Sequence, residues 1–453
     1  MAFNFLPARR DQQFLMPPSI AEWLPEGHLA WAIVAAVEAM DLSAFEASHR
    51  ADGRGGAAYD PAMMVALVLY AYCVGERSSR RIERRCVEDV AFRVLAANAQ
   101  PDHTTIARFV ARHDVALAGL FGQVLELCAR AGMVDVGVVA VDGTKVEADA
   151  SGSANRNLSD LASQIVAEGV AIDAAEDAEQ DASHNDVPGK LRDREWVQRA
   201  MTEIAAERER SVARRPSAPR GEPKVNLTDP DSRIMKSPQG FVQAYNAQAV
   251  VSADQVIVAA ELTQLAVDTD CLVPMVEVAV TNVASSGKAI TTVLADAGYW
   301  SPDHVVAKLD PELLIATGKT KDITVDRSDP VALEAALVAV QQRSLTHRDA
   351  AAKLGMPKTS FTRFVAAYRN DPLRALARVK MAAKLAEPAS RRRYRQRAIT
   401  IEPVFGQIKA VRGIRRFRRR GLHACAAEWD LIATTHNLLK WWRATVRASP
   451  SPT

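Results

Sequence analysis

The spacing of apolar residues changes character along the chain, and the changes divide it. From 1 to 135 the spacing is helical. "IAEWLPEGHLAWAIVAAVEAM" (20–40) repeats apolar residues three and four apart, and "YDPAMMVALVLYAYCVG" (59–75) predicts a buried helix with Pro61 in its first turn. "SSRRIERRCVEDVAFRVLA" (78–96) is amphipathic with a basic side. "PDHTTIARFVARH" (101–113) predicts a short helix capped by Asp102 or Thr104 that exposes Arg108 and Arg112.

From 136 the texture becomes that of strands. Val138, Val139, Ala140 and Val141 form a short apolar run that stops at Asp142-Gly143, a pair that ordinarily starts a turn. A polar interruption follows, with helical stretches at 158–172 and 194–215. Strands return at 241–254 and 255–265, joined by a hairpin turn at Ala253-Asp254. Residues 268–287 predict a helix ended by Gly287, 289–301 a buried strand finishing on Asp296, and 312–318 a further strand after a short helix. Three strands, then strands alternating with helices, predict an α/β fold built on a mixed sheet with helices on its faces. The expected layout is an all-helical domain over 1–135 and a sheet domain over 136–450, interrupted by insertions at 152–240 and 320–388.

The second insertion holds "THRDAAAKLGMPKTSFTRFVAAYR" (346–369), with the pattern of a helix-turn-helix. Ala350, Ala351 and Leu354 form an inner face, Gly355 the turn, and Phe361, Phe364 and Val365 the inner face of a second helix. Lys358, Thr359, Thr362 and Arg363 then point outward, as in helices that enter a major groove.

Composition adds little until charge is followed along the chain. At 453 residues, 48% hydrophobic and 25% charged, this is an ordinary globular composition with a net charge of +3. Yet 171–186 is acidic, while 391–420 holds Arg391, Arg392, Arg393, Arg395, Arg397, Lys409, Arg412, Arg415, Arg416, Arg418, Arg419 and Arg420 against Glu402 alone. That density favours a polyanionic partner. Five scattered cysteines without a CxxC pair argue against a disulfide framework or a zinc cluster. No apolar run reaches the roughly 20 residues that span a bilayer. A soluble cytoplasmic protein is expected, with no membrane partner.

Two strands ending in acids, at Asp142 and Asp296, change the meaning of each. Carboxylates at neighbouring strand rims face one crevice and repel, so the pair calls for a cation. Oxygen-only ligands select Mg²⁺ or Mn²⁺, and two such ions about 4 Å apart serve in-line phosphoryl transfer. Glu402 is the candidate third acid. Lys409, seven residues on, lies about 20° from it on a helical wheel, with Ile401, Phe405, Ile408 and Val411 packed beneath. Pro403 leaves two options: a helix beginning near Thr400, or one kinked there.

Three blocks, "VVAVDGTKVEADAS" (138–151), "VLADAGYWS" (293–301) and "YRQRAITIEPVFGQIK" (394–409), together resemble the DDE transposases of bacterial insertion sequences, in the subgroup with a Tyr-Arg-Glu-Lys signature. The N-terminal helical blocks and the tail "FRRRGLHACAAEWDLIATTHNLLK" extend the resemblance over nearly the whole chain. It implies a ribonuclease H-like core, a metal-binding triad of Asp142, Asp296 and Glu402, and two divalent ions. Tyr394, Arg397 and Lys409 correspond to the rest of the signature. Four residues separate Arg397 from Glu402 where the family pattern has three, so Arg395 is the other candidate for the signature arginine. The implied activity is cleavage and strand transfer at the ends of an insertion sequence, on double-stranded DNA, by a nucleoid-associated homodimer. Arg108, Lys358, Arg363, Arg412, Arg415 and Arg416 are expected to contact DNA. A structure-specific nuclease of the same fold, or a DNA-binding regulator without catalysis, would share these features.

Overall fold

The structure, a computed structural model, describes residues 19–47, 58–157, 224–238, 240–284, 286–306, 309–318 and 328–448, with scattered positions between 202 and 209. The helices expected at 158–172 and, for most of its length, 194–215 lie outside the described residues. The chain divides into two compact units, 1–117 with 442–453, and 118–441.

The first unit is helical, as its periodicity predicts. Its helices are α1 (Leu29–Glu38), α2 (Ser43–Glu46), α3 (Pro61–Cys73), α4 (Ser79–Glu88), α5 (Val90–Leu95) and α6 (His103–Arg112). Asp60 caps α3 by accepting from the amides of Ala62 and Met63, and Pro61 occupies the first turn, where no donor is needed. Met64 to Cys73 are all buried, and α1, α5 and α6 pack around this central helix. Asp102 is the cap of α6, accepting from Thr105 N at 2.9 Å. The single amphipathic stretch expected at 78–96 is two helices. Asp89 takes an extended backbone between them and caps α5.

The boundary between units falls inside α7 (Asp114–Arg130), ahead of the expected limit at 135. The reason is packing: Leu120, Val124, Leu125 and Cys128 of α7 are buried, and the Cys128 thiol reaches the carbonyl of Asn437 in the second unit's own C-terminal helix.

The second unit is built on a mixed sheet. β1 (Val138–Glu147) is its middle strand. It runs antiparallel to β5 (Gly240–Ser252) and parallel to β7 (Thr292–Ala295), which runs parallel to β8 (Glu312–Ile315). The far edge of β5 is shared by β4 (Arg233–Ser237) and β6 (Ile257–Thr263), both antiparallel to it. A short pair, β2 (Asn155–Arg156) with β3 (Val225–Asn226), stands apart. The turn between β5 and β6 lies at 253–255, with Gln255 at φ +62°.

One expectation fails here. Asp142-Gly143 does not end β1, which continues to Glu147 because β5 pairs with it residue by residue as far as Ala244. Only the parallel partner stops: β1 and β7 pair up to Val141 and Ala295. Asp142 is therefore the first residue of a continuing strand beyond the end of its neighbour.

Helix α8 (Leu272–Ala284) packs on β5 and β6, and Gly287, at φ +69°, follows its end as predicted. After α9 (Pro302–Val306) come α10 (Pro330–Gln341), α11 (His347–Lys353), α12 (Lys358–Asn370) and α13 (Pro372–Ala386). These four share an apolar cluster that includes Ala350, Ala351, Phe361, Phe364 and Val365, with Leu354 partly buried against it. Gly355, at φ +63°, makes the turn between α11 and α12, a conformation other side chains resist.

Helix α14 (Pro388–Gly406) lies against β1, β5 and β7. It does not begin near Thr400; Pro403 sits inside it. The hydrogen bond that Pro403 cannot give to the Ile399 carbonyl comes instead from Gln255 Nε2 at 3.1 Å. The helix then widens into a π turn, 407–411. Val404, at ordinary helical spacing from Ile401 and Ile408, joins them in the core in place of Phe405, and beyond the wider turn Val411 is 75% exposed, against expectation. Helix α15 (Leu422–Ala448) closes the chain. In its second-unit portion, Asn437 satisfies both the amide and the carbonyl of Ile257 on the edge of β6, each at 2.8 Å.

Candidate active site

The register of β1 and β7 brings the two strand acids together. Asp296 follows Ala295 directly, as Asp142 follows Val141, so the carboxylates stand at equivalent places on adjacent parallel strands. Burial pushes the Asp142 carboxyl above the usual carboxylate range. The nearby Asp296 charge adds to the rise, and Arg397 opposes it. Asp142 accepts from Gly143 N at 2.8 Å and from Arg397 Nη1 at 3.1 Å. Asp296 turns its carboxylate onto Gly298 N at 2.8 Å, capping the short turn Ala297–Tyr299.

Helix α14 supplies the cationic side. Arg397 is the arginine that meets Asp142, whereas Arg395 is exposed. Tyr394, one turn earlier, is half-buried. Burial holds its phenol above its ordinary range, the adjacent Arg397 opposes that shift, and the Asp296 charge adds to it. Lys409, in the π turn, donates to the Lys145 carbonyl of β1 at 2.7 Å, and burial together with the nearby Arg415 charge lowers it to about 8. Glu402 is exposed on the same helix. Among the described residues no three of His, Cys, Asp and Glu stand close enough to hold one metal ion.

The other expected contacts separate into distinct environments. Arg412 is buried, and its guanidinium bonds Thr435 Oγ1 and the Ile432 carbonyl of α15; it is a packing residue and not part of the exposed basic surface, which corrects the expectation for it. Arg415 is exposed and donates to the Lys409 carbonyl, and Arg416 pairs with Glu147 at 2.7 Å. Lys358 and Arg363 are exposed on α12, and Arg108 is exposed on α6 of the first unit.

A group of polar residues behind the strand acids goes beyond the sequence-based expectations. Alternation along β1 turns Gly143 and Lys145 to the opposite sheet face from Asp142, level with Gln248 and Asn246 of β5. There Asp268 Oδ1 accepts from Asn246 Nδ2 at 2.6 Å, Gln248 Nε2 at 2.9 Å and Lys145 Nζ at 3.3 Å. The Tyr299 hydroxyl donates to Gln248 Oε1. A side chain at 143 would collide: its Cβ would lie 2.2 Å from Gln248 Nε2, 2.8 Å from Asp268 Oδ1 and 2.9 Å from Asn246 Oδ1. The available signal was "YNAQAV", where two amides alternate through a strand whose other positions are apolar; buried amides at that spacing require partners.

Two segments match family models. Residues 18–112 match one described as "Transposase domain (DUF772)", and residues 366–442 match one described as "Transposase DDE domain". The second match contains Glu402 and Lys409, while Asp142 and Asp296 lie between the two matches. No curated protein and no solved structure matches the chain. The two matches support a DDE transposase.

Proposed function

We propose that this chain is a transposase of the Tyr-Arg-Glu-Lys subgroup that cleaves DNA at the ends of an insertion sequence and transfers the freed strand to target DNA. Transposase matches toward both ends of the chain are the premise, and the placing of Asp142 and Asp296 directly after the last paired residues of adjacent parallel strands carries the reading. The sheet supports a ribonuclease H-like core: three antiparallel strands, β6, β5 and β1, with two parallel strands, β7 and β8, added beyond the first.

The donor chemistry at the strand ends fits a hard divalent cation. The oxygens offered there are those of the Asp142 and Asp296 carboxylates, and burial and the acidic neighbour hold the Asp142 carboxyl high against the opposing Arg397, a shift that a bound cation would counter. Asp142 and Asp296 would hold it, with Glu402 proposed as the third ligand by its place in the signature. Bound Mg²⁺ or Mn²⁺, as two ions in the full reading, would neutralise charge on the phosphate and lower the pKa of the attacking water. The chain's own groups do the rest. Arg397 fixes the orientation of Asp142 and offers guanidinium donors to a phosphate beside it. Lys409 presents a second cation from the π turn, and Tyr394 offers an aromatic face to a displaced base. Arg415 and Arg416 of the basic segment, and Lys358 and Arg363 on the helix pair, would hold the DNA backbone, with Arg108 contributing from the first unit. A homodimer acting on paired element ends, associated with the nucleoid, completes the proposal. No helix among the described residues is long and apolar enough to cross a membrane.

The test uses purified full-length protein with Mg²⁺, labelled element-end DNA and a supercoiled plasmid. Joined product is expected, and Asp142→Asn should lower it at least about 100-fold, more than loss of an outer-sphere partner costs, while leaving DNA binding in place. Cleavage without joining would instead establish a nuclease. One observation favours a second reading, DNA binding without catalysis: Glu402 is exposed and outside any three-ligand cluster among the described residues. Wild-type protein that binds DNA and neither cuts nor joins it would establish that reading.

A further inference from the structure

Asp268 is placed to act on Asp296 without touching it. It opens the segment leading into α8, and its carboxylate gathers donors from three places: Lys145 of β1 and both Asn246 and Gln248 of β5. From there two arms reach the turn that presents Asp296. Gln248, held by Asp268 through its amide nitrogen, uses its oxygen to accept the hydroxyl of Tyr299, the last residue of that turn. Thr269, the neighbour of Asp268, donates its hydroxyl to the Gly298 carbonyl at 3.0 Å. The same Gly298 gives its amide to Asp296, so its two peptide groups are gripped from opposite sides.

Two absences of side chain make this contact fit. Gly143 leaves room on β1 for the Asp268, Gln248 and Asn246 cluster, and Gly298 leaves room between the two acids. A Cβ at 298 would lie 3.0 Å from Asp296 Oδ1 and 3.5 Å from Asp268 Oδ2. Two carboxylates flanking one bare glycine repel, and the Lys145 ammonium at 3.3 Å from Asp268 offsets part of that repulsion. The Asp296 carboxylate takes its hydrogen bond from the Gly298 amide, while Asp268 has the Lys145 ammonium beside it.

We propose that Asp268 is a positioning residue: through Gln248–Tyr299, and alongside the bond its chain neighbour Thr269 makes to Gly298, it fixes the turn that holds the Asp296 carboxylate level with that of Asp142. The proposal rests on the reading of Asp142 and Asp296 as a cation-binding pair. Outer partners of metal-binding carboxylates typically change affinity 10- to 100-fold when removed.

The experiment measures Mn²⁺ binding by electron paramagnetic resonance on the full-length protein without DNA, and separately kcat and KM for strand joining. Asp268→Ala is expected to weaken Mn²⁺ binding about 10- to 100-fold and to lower kcat while leaving KM for DNA unchanged. Asp268→Asn, which retains an acceptor oxygen, should recover part of the loss. Tyr299→Phe and Thr269→Val each cut one arm and should shift Mn²⁺ affinity in the same direction by less. Wild-type Mn²⁺ affinity and kcat in folded Asp268→Ala would overturn the proposal, as would a loss in which Tyr299→Phe and Thr269→Val take no part. If wild-type protein neither binds Mn²⁺ nor joins DNA, the transposase reading fails by itself. Hydrogen exchange at the amides of 297–300 then decides the positioning role: faster exchange confined to that turn in Tyr299→Phe supports it, and unchanged exchange overturns it.

Discussion

Asp142 shows how much a residue's meaning depends on its neighbours across the sheet. In sequence, Asp-Gly after four apolar residues signals a turn. In the fold the glycine is there for another reason: β1 passes so close to Gln248, Asp268 and Asn246 that no side chain fits. The acid beside it is left at the point where β7 has already ended. Lys409 offers a test at this scale. Its pKa, lowered from 10.5 to about 8, means the folded protein releases this proton more readily than the unfolded chain. Between those values the unfolded chain binds more protons, so this residue's contribution to stability rises with pH across the window. Its charge, by contrast, is lost as pH rises through about 8. DNA affinity measured by fluorescence anisotropy is therefore expected to fall by up to about tenfold, the worth of one charge-assisted contact, between pH 7 and pH 9. Lys409→Arg should remove most of that dependence, because guanidinium stays protonated.

At the scale of elements, α14 illustrates how a helix accommodates a residue that should break it. Pro403 forfeits a hydrogen bond, Gln255 from the β5–β6 turn supplies one, and the helix continues into a π turn that turns Lys409 toward β1. The strand beside it is less forgiving. Gly143→Ala should cost about 1–3 kcal/mol in urea denaturation, because the added methyl must displace buried amides. Asp142→Asn, on the opposite face of the same strand, should leave those amides undisturbed. The α11–α12 pair depends on a different element of design, its shared apolar cluster. Phe361 is fully buried there, so Phe361→Ala should cost about 3–5 kcal/mol. Lys358→Gln, at an exposed position, should stay within about 0.5 kcal/mol.

For the whole molecule the decisive property is how unevenly charge is distributed. A net charge of +3 conceals a basic segment at 391–420 whose arginines are not equivalent once folded. Arg412 is buried, Arg393 pairs with Glu312, Arg416 with Glu147 and Arg420 with Asp149, while Arg391, Arg392 and Arg395 are exposed with no such partner among the described residues. Each phosphate contact contributes about −0.9 to the slope of log affinity against log salt on duplex DNA. Replacing Arg391, Arg392 and Arg395 together by Gln is expected to flatten that slope by up to about 3. The same change at Arg393, Arg416 and Arg420 should flatten it less, since carboxylates already hold those charges.

Sequence alone determined the features that local physics dictates. The helical period of the first 112 residues, the alternating and apolar runs of β1, β5, β6, β7 and β8, the first turn at Pro61, a polar cap for α6 at Asp102 or Thr104, and the glycine turn at 355 all follow from spacing and backbone preference within a few residues. The resemblance to transposases was equally legible, since three short blocks in order carried it. Tertiary structure decided the rest, because it depends on contacts between distant positions. Only the strand register shows that β1 outruns β7 at Asp142. Only the packing of α14 shows that Arg397 and not Arg395 meets that acid, that Arg412 turns inward, and that a carbonyl orphaned by Pro403 finds Gln255. Asp268 is separated from Gly143 by more than a hundred residues, and no periodicity within either segment encodes a meeting between them.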